Sequence, residues 1–422
     1  MKKIVLCALP FSSNLGENLV VETTKYNIRK LLPNEEFEFV QVDLFGRREF
    51  IRASFPTKTS EMDAFEMPIK PNIFNWADIY VTSGAARVLK KISRRMYCSA
   101  MEHRWRRNPN EYRRLHTYFD SVIKDADVVW FAGGGIIEYC ENQYQHQISL
   151  IVDLAHHYSC PVVFGGVGLV GEADPSDPRF ADMQRALNDS VVKHIFVRDH
   201  KETIDEVYML DGNKVKAAAD PASFCAEAFG IQADTSSDIT GVGLIRPNAF
   251  SAYKKSVDSE GAVRFYKELL TELDRRHIRW QLFTNGFESE QKLGEEILKS
   301  LGKDPSLIAD RPTNPKRLVE IVSSYKGIIT ARLHGLIAAY SLGIPGVGLS
   351  WNDKVDCFME NIGYPERAVD ILTQKPAEIV DVYEKAVKEN YDPEKRAAFR
   401  ETLCYETKNA LAGSGLLKGT SL

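Results

Sequence analysis

The chain lacks several features that would narrow its function at once. It has no stretch of about 18 uninterrupted apolar residues, which argues against a membrane-spanning helix. Its seven cysteines are widely spaced without a C-x-x-C pair, so neither a disulfide framework nor a structural zinc site is indicated. The G-x-G-x-x-G spacing of dinucleotide sites is missing as well. A net charge of −4 is not typical of a nucleic-acid-binding protein, and we expect no such partner.

Length and composition indicate a globular protein with more than one core. The 422 residues are 44% apolar and 27% charged, which is enough for two ordinary domains. Residues 1–9 carry only a short apolar run before Pro10, and this favours a first buried strand over a signal peptide. We therefore expect a cytoplasmic protein, with peripheral contact to the inner face of the membrane left open.

Strand patterns alternate with helix patterns in both halves of the chain. This alternation predicts two doubly wound parallel sheets, each with helices on its faces. The polar segment 230–238 has no hydrophobic period and is the predicted boundary. We therefore expect domains at residues 1–229 and 239–375, followed by carboxyl-terminal helices and a tail at residues 376–422.

Residues 327–363 carry the most chemistry in the sequence. A β-branched run leads to Arg332 and His334, a small-residue helix follows, and a second strand ends shortly before Lys354. Ligands of open α/β sheets bind outside the carboxyl ends of the strands, and free amides at a helix start favour an anion. The pattern predicts a pocket for a phosphate or carboxylate beside a group that can move a proton. A structural histidine would fit the spacing equally well.

This stretch resembles the carboxyl-terminal signature of the polysaccharide pyruvyltransferases. Four runs carry the resemblance at matched spacing: Arg332-Leu333-His334-Gly335-Leu336, Gly343-Ile344-Pro345, Gly348-Leu349-Ser350 and Asp353-Lys354-Val355. Such enzymes transfer the enolpyruvyl unit of phosphoenolpyruvate to sugar hydroxyls as a ketal. The resemblance implies two Rossmann-like domains facing a cleft, as in GT-B glycosyltransferases. It implies phosphoenolpyruvate as co-substrate, with no metal and no further cofactor.

Glycine-bearing turns follow two strands of the first half. Gly16, Glu17 and Asn18 stand where the family commonly has glycine, aspartate and glutamate, so the acidic pair is only partly kept. Gly133, Gly134 and Gly135 follow the buried strand at residues 127–132, where the family also has a glycine-rich turn. Both turns are predicted to face the acceptor, although a plain turn or a close helix crossing would also need glycine.

Strand-end cations are the predicted donor ligands. Arg198 occupies the place of the family's Arg-Asp motif and is expected to bind the carboxylate or phosphate of the donor, although a structural pair with Asp199 is an alternative. Arg246, after the first strand of the second half, is a weaker candidate. The turn that begins at Asp220 resembles the Asp-Pro turn of the family and is interpreted as structural.

Residues 87–114 form a strongly basic segment. Ten lysines and arginines stand against two acidic residues there, with aromatic and methionine side chains between them. Such a segment could lie on an anionic membrane surface or meet a lipid-linked sugar, and it is also typical of a solvated helix face.

The full hypothesis assigns proton transfer to His334, as acid or as base. Arg198 and Lys354 would hold the anionic groups of the donor, with Arg332 beside them. Two other functions fit the same fold, namely a glycosyltransferase that uses a nucleotide sugar and a carbohydrate- or lipid-binding protein without activity. The sequence identifies neither the acceptor sugar nor the hydroxyls that are bridged.

Overall fold

Two α/β domains, each built on a parallel sheet, make up the protein in the computed structural model. The structure describes residues 1–12, 14–47, 109–137, 144–171, 175, 178–211, 214–245 and 259–417.

The amino-terminal domain contains a six-stranded sheet in the order β2-β1-β3-β4-β5-β6. All neighbouring strands in it are parallel. Every residue of β3 and β4 is buried, as expected for a parallel sheet that is covered on both faces. The strands are Lys2–Ala8 (β1), Phe37–Asp43 (β2), Val128–Ala132 (β3), Val162–Val167 (β4), Val192–Val197 (β5) and Val215–Ala217 (β6).

Helices connect the strands of this domain, as the right-handed crossovers of a parallel sheet require. The Asn14 side chain caps the first helix by accepting a hydrogen bond from the Gly16 amide at 3.4 Å. The helices are Leu15–Leu31 (α1), Pro109–Ile123 (α2), Gln145–His157 (α3), Pro178–Leu187 (α4), Lys201–Val207 (α5) and Cys225–Phe229 (α6).

The carboxyl-terminal domain contains a five-stranded parallel sheet in the order β11-β10-β9-β7-β8. Its strands are Thr240–Gly243 (β7), Trp280–Phe283 (β8), Gly327–Thr330 (β9), Gly346–Ser350 (β10) and Ala368–Asp370 (β11). Its helices are Ser259–Arg275 (α7), Glu288–Ser300 (α8), Pro315–Ser323 (α9), Leu333–Leu342 (α10), Asp353–Asn361 (α11) and Pro376–Glu389 (α12).

The last helix, Pro393–Gly413 (α13), returns to the amino-terminal domain. Leu403 and Leu411 pack with the core under the first sheet. The Thr402 hydroxyl accepts a hydrogen bond from the Ala219 amide at 3.0 Å, and Lys2 Nζ donates to the Leu416 carbonyl at 2.7 Å. The chain therefore passes between the domains twice, before β7 and before α13.

The domains meet through apolar side chains of helices from both sides. Leu15, Leu19 and Val20 of α1 share one buried cluster with Leu318 of α9 and Ile337 of α10. The Leu15 amide also donates to the Asn285 carbonyl at 3.2 Å. These contacts hold the start of α1 against the start of α10, where sequence analysis placed Gly16 and His334.

Both sheets have a topological switch point, where the strand order reverses. It lies between β1 and β3 in the first sheet and between β7 and β9 in the second. Ligands of open α/β sheets bind at such points. The predicted fold class, two Rossmann-like doubly wound domains, is confirmed. None of the described helices has the length and apolarity that crossing a bilayer requires.

Candidate active site

Arg198 is the centre of a buried charge cluster at the end of β5. Its guanidinium donates from Nη1 to Asp220 Oδ2 at 2.6 Å and from Nε to Asp199 Oδ2 at 3.2 Å. The other oxygen of each carboxylate accepts a backbone amide, from Ala222 for Asp220 and from Leu169 for Asp199, each at 2.8 Å. Burial alone would lower the pKa of Arg198, but the two carboxylates outweigh it and raise that pKa. Arg198 is therefore a permanent, oriented cation.

His334 is the second residue of α10 and reaches this cluster from the other domain. Its Nε2 lies 3.5 Å from Arg198 Nη1 and 4.0 Å from Asp220 Oδ2. The imidazole is only 6% exposed. Its cover comes from the facing domain, because a β-carbon added to Gly16 would lie 2.1 Å from His334 Nδ1. A separation of the domains would thus expose the ring without unfolding either one.

The surroundings of His334 keep the ring neutral. Burial lowers its pKa below the ordinary 6.5, and the positive charges of Arg198 and Lys354 lower it further. Asp220 and Glu17 oppose this effect only in part. Because a guanidinium N–H can only donate, Nε2 is the acceptor atom towards Arg198. A negative charge bound beside the imidazole would raise its pKa and favour the protonated ring.

Lys354 is the second residue of α11 and adds another cation. Its ammonium makes no hydrogen bond or ion pair with any residue that the structure describes. It lies 3.0 Å from the place a β-carbon on Gly135 would occupy. Burial, and then the charge of Arg198, lower its pKa below the ordinary 10.5. A partly buried cation without a partner is a natural ligand for an incoming anion.

The glycine-rich turn after β3 lets two charged side chains approach the backbone. Gly133 and Gly134 have positive φ values of 60° and 78°, which favour glycine. Glu17 Oε2 lies 2.9 Å from the place of a Gly134 β-carbon, and Lys354 lies beside Gly135. A side chain at either glycine would displace these groups. Asn18 is a buried residue of α1 and donates from Nδ2 to the Ser12 carbonyl at 3.4 Å.

A small internal cavity marks the point where the cations meet. Its volume is about 10 Å³, which is room for about one water molecule. Small-molecule sites usually have volumes of about 300 Å³ or more. The cavity is therefore too small for a typical small-molecule ligand. The cavity is lined by Arg198, Asp199, Asp220, Leu333, Ile337, Lys354, Phe358 and Phe399.

Arg332 is turned towards its own domain. It forms an ion pair with the fully buried Glu290 of α8, and its guanidinium lies 4.7 Å from the ring centre of Phe287. Neither of these two contacts involves Arg198 or Lys354. Arg246 and residues 87–108 of the basic segment lie outside the described residues.

Sequence reasoning missed several groups that complete the site. Asp220 was interpreted as part of a structural turn, yet its carboxylate holds Arg198 across from His334. The available signal was its place after β6, the strand next to β5. His200 Nε2 lies 3.0 Å from Asp353 Oδ2, and this contact is the main reason that the pKa of His200 is raised to about 10. That ion pair joins the loop after β5 to the start of α11.

A test of the packing follows from Gly16. Replacing it with alanine would put a β-carbon 2.1 Å from His334 Nδ1. We expect the ring to move and the free energy of unfolding to fall by about 1–3 kcal/mol. The matched control is Gly413→Ala at the end of α13, where the nearest atoms are 3.6 Å away. Thermal unfolding of both variants checks this expectation, and equal melting temperatures would contradict it.

Two parallel α/β domains with their strand ends facing each other, and a charged site between them, define a protein of the GT-B type. The chain belongs to the polysaccharide pyruvyl transferase family, whose model matches residues 14–353. This range contains Arg198 and His334 and ends one residue before Lys354. It confirms the family resemblance drawn from the four motifs.

Solved structures with the same fold include several sugar-nucleotide enzymes. The UDP-GlcNAc 2-epimerase from Methanocaldococcus jannaschii is 11% identical over 97% of this chain and 99% of its own, with a TM-score of 0.54. The UDP-GlcNAc 2-epimerase from Neisseria meningitidis, bound to UDP-GlcNAc, is 12% identical over 99% and 100%, with a TM-score of 0.51. The enzyme from Rickettsia bellii is 10% identical over 98% and 95%, at 0.52. Such identities establish the fold alone. No curated protein gives a significant sequence match.

Proposed function

We propose that the protein transfers the pyruvyl unit of phosphoenolpyruvate to two hydroxyls of one sugar, forming a ketal in the biosynthesis of a cell-surface glycan. Membership of the pyruvyl transferase family supports a transferase with this type of product. One observation carries the rest of the proposal. Two cations and one neutral imidazole, contributed by both domains, converge at the ends of parallel strands.

Arg198 and Lys354 are the proposed ligands of the donor anion. Phosphoenolpyruvate carries a carboxylate and a phosphate, and each can be met by one of these cations. The amides at the start of α10 can contribute a further donor to either group. Because the cavity between these residues is so small, the donor would enter after the two domains move apart.

His334 is the proposed proton donor to the methylene carbon of phosphoenolpyruvate. The negative charge of the bound donor would offset the two cations that now lower the pKa of the ring. The protonated ring then delivers its proton, and positive charge develops at the central carbon. The hydroxyl of the sugar attacks this carbon, and closure of the domains keeps water from competing.

The proposal needs no metal and no cofactor beyond phosphoenolpyruvate. Its acceptor is a sugar that is free, nucleotide-linked or lipid-linked. In this proposal the basic segment 87–114 brings the enzyme to an anionic membrane surface when the sugar is attached to a lipid.

The decisive experiment measures both halves of the reaction on the purified protein. Calorimetry with phosphoenolpyruvate tests donor binding without any acceptor. Incubation with phosphoenolpyruvate and a panel of sugars, nucleotide sugars and lipid-linked sugars then tests transfer. We expect phosphate release that depends on the acceptor, and an acceptor mass increased by one pyruvyl group with loss of water.

Other outcomes of this experiment would contradict the proposal. Release of a nucleoside diphosphate from a nucleotide sugar, without consumption of phosphoenolpyruvate, would establish a glycosyltransferase. Failure of phosphoenolpyruvate to bind at millimolar concentration would remove the donor assignment. Binding of a sugar with neither product would indicate a protein without activity.

A further inference from the structure

Among the residues that the structure describes, the carboxylates of Asp199, Asp220 and Glu17 act electrostatically on Arg198, and the first two form ion pairs with it. Asp220 binds the guanidinium and the Ala222 amide. Asp199 binds the guanidinium and the Leu169 amide. Each carboxylate belongs to a buried ion pair that is costly to break. Both are therefore structural partners that orient Arg198.

Glu17 is the third carboxylate, and its situation is different. Its carboxylate makes no hydrogen bond and no ion pair with the residues that the structure describes, and its side chain is half-buried. It stands in the first turn of α1, at the switch point between β1 and β3. Its Oε2 lies over Gly134, and its charge acts on His334 and Lys354. This carboxylate is free to meet a ligand in the cleft.

We propose that Glu17 accepts the proton of the attacking acceptor hydroxyl, so that it and His334 share the acid and base work of the reaction. The inference rests on the proposed function and deepens it. It assigns Glu17 a chemical step, whereas the sequence indicated only a place in the acceptor-facing turn. Glu17 and His334 lie close to each other because Gly16, the residue before Glu17, packs against the His334 ring. Glu17 itself faces the glycine-rich turn at Gly134.

The protons of the reaction can be divided between these two groups. Protonated His334 gives its proton to the methylene carbon, and the oxygen of the first hydroxyl forms a bond to the central carbon while its proton goes to Glu17. The bond between that carbon and the phosphate oxygen then breaks, and the phosphate leaves with the electron pair. It takes the proton held by Glu17 and departs as hydrogen phosphate. The second hydroxyl closes the ketal and returns its proton to His334.

The effect of the Glu17 charge on donor binding distinguishes a proton acceptor from a residue that only orients the site. Glu17 places a negative charge near two cations that are proposed to bind an anionic donor. Removing that charge without changing the shape should strengthen binding of phosphoenolpyruvate by a few-fold. A residue that only orients the donor site would give the opposite result when altered. Tighter donor binding together with slower transfer is therefore the signature of a proton acceptor.

The test compares Glu17→Gln with the wild-type enzyme. We expect kcat for transfer to fall by roughly 10²-fold or more, which is within the usual range for loss of a general base. Calorimetry should show that phosphoenolpyruvate binds at least as tightly as before. The matched control is Glu22→Gln on the same helix, since Glu22 pairs with Lys25 at 2.7 Å and Gln41 at 3.2 Å outside the site.

Two results would overturn the inference without touching the proposed function. One is a Glu17→Gln enzyme that transfers pyruvate at the wild-type rate. The other is a parallel loss of donor affinity and rate, which would make Glu17 a positioning residue. Should the glutamine variant fail to fold, Glu17→Asp decides the matter, because it keeps a carboxylate and should still transfer pyruvate, at a lower kcat. A wild-type enzyme that consumes no phosphoenolpyruvate would instead refute the proposed function itself.

Discussion

Replacement of His334 by glutamine is expected to slow pyruvyl transfer by roughly 10²–10⁴-fold, the usual contribution of a positioned acid or base. Glutamine is similar in size and can still form a hydrogen bond with its neighbours, but it cannot exchange a proton near neutral pH. Binding of phosphoenolpyruvate should stay within a few-fold of wild type, because Arg198 and Lys354 are unchanged. Steady-state kinetics and calorimetry with the donor measure the two quantities separately.

The pH dependence of the wild-type enzyme shows whether His334 acts as an acid or as a base. The pKa of His334 in the free protein lies below 6.5, first because the ring is buried and then because Arg198 and Lys354 oppose its charge. A proton donor must carry its proton, so kcat/KM will fall as the pH rises through this lowered pKa. In the donor complex the added negative charge raises the pKa, and the matching limb of kcat moves to higher pH. A kcat/KM that rises over this range would make the ring a base.

The control for this substitution is His156→Gln. His156 lies on the surface, where Nδ1 is 2.8 Å from Asp189 Oδ1, and it belongs to α3 away from the site. Transfer by this variant should equal that of the wild type. A His334→Gln enzyme that retains more than a tenth of the wild-type rate would show that another group supplies the proton.

Much of the fold is predictable because buried parallel strands leave a clear sequence signal. The β3 strand reads as an unbroken apolar run, and Val128–Ala132 is buried at every position. The strand ends then show where polar side chains gather, because all strands of a parallel sheet present their carboxyl ends at one edge. Arg198 and His334 could be selected on this basis, and they lie 3.5 Å apart.

Other features of the site depend on contacts that no local pattern encodes. Arg332 precedes His334 by two residues, yet it pairs with Glu290 of α8, so its direction is set by a partner distant in sequence. Asp220 joins the cluster only because the short β6 strand pairs with β5. Glu17 differs from Asp199 and Asp220 in that its carboxylate has no partner among the described residues, and only the structure shows this difference.

The division of the site between the domains links its chemistry to their closure. Arg198 and Glu17 come from the first domain, while His334 and Lys354 come from the second. The His200–Asp353 ion pair and the hydrogen bond from Asn361 Nδ2 to the Arg198 carbonyl, at 2.9 Å, join the two halves beside the cations. The imidazole, the cations and the carboxylate therefore come together only when the domains approach each other.

Arg198→Lys is expected to have the second large effect, on donor binding. Lysine keeps the charge but not the planar fork, so it cannot hold Asp199 and Asp220 together while facing a ligand. The KM for phosphoenolpyruvate should rise by roughly 10- to 100-fold, since a hydrogen bond to a charged group is worth about 1.5–3 kcal/mol. Initial rates over a range of donor concentrations measure this change.

Arg198→Met is expected to lower the stability of the protein. It would leave the carboxylates of Asp199 and Asp220, both at most 6% exposed, without their cation. Breaking a buried pair in this way costs about 3–5 kcal/mol, so the melting temperature should fall further than in Arg198→Lys. Arg367→Lys is the control, because Arg367 is also buried but donates to the Asn390 carbonyl at 2.8 Å and lies over the Tyr364 ring. Arg367→Lys should lower the melting temperature without changing the KM for phosphoenolpyruvate. An unchanged KM in Arg198→Lys would show that Arg198 does not bind the donor.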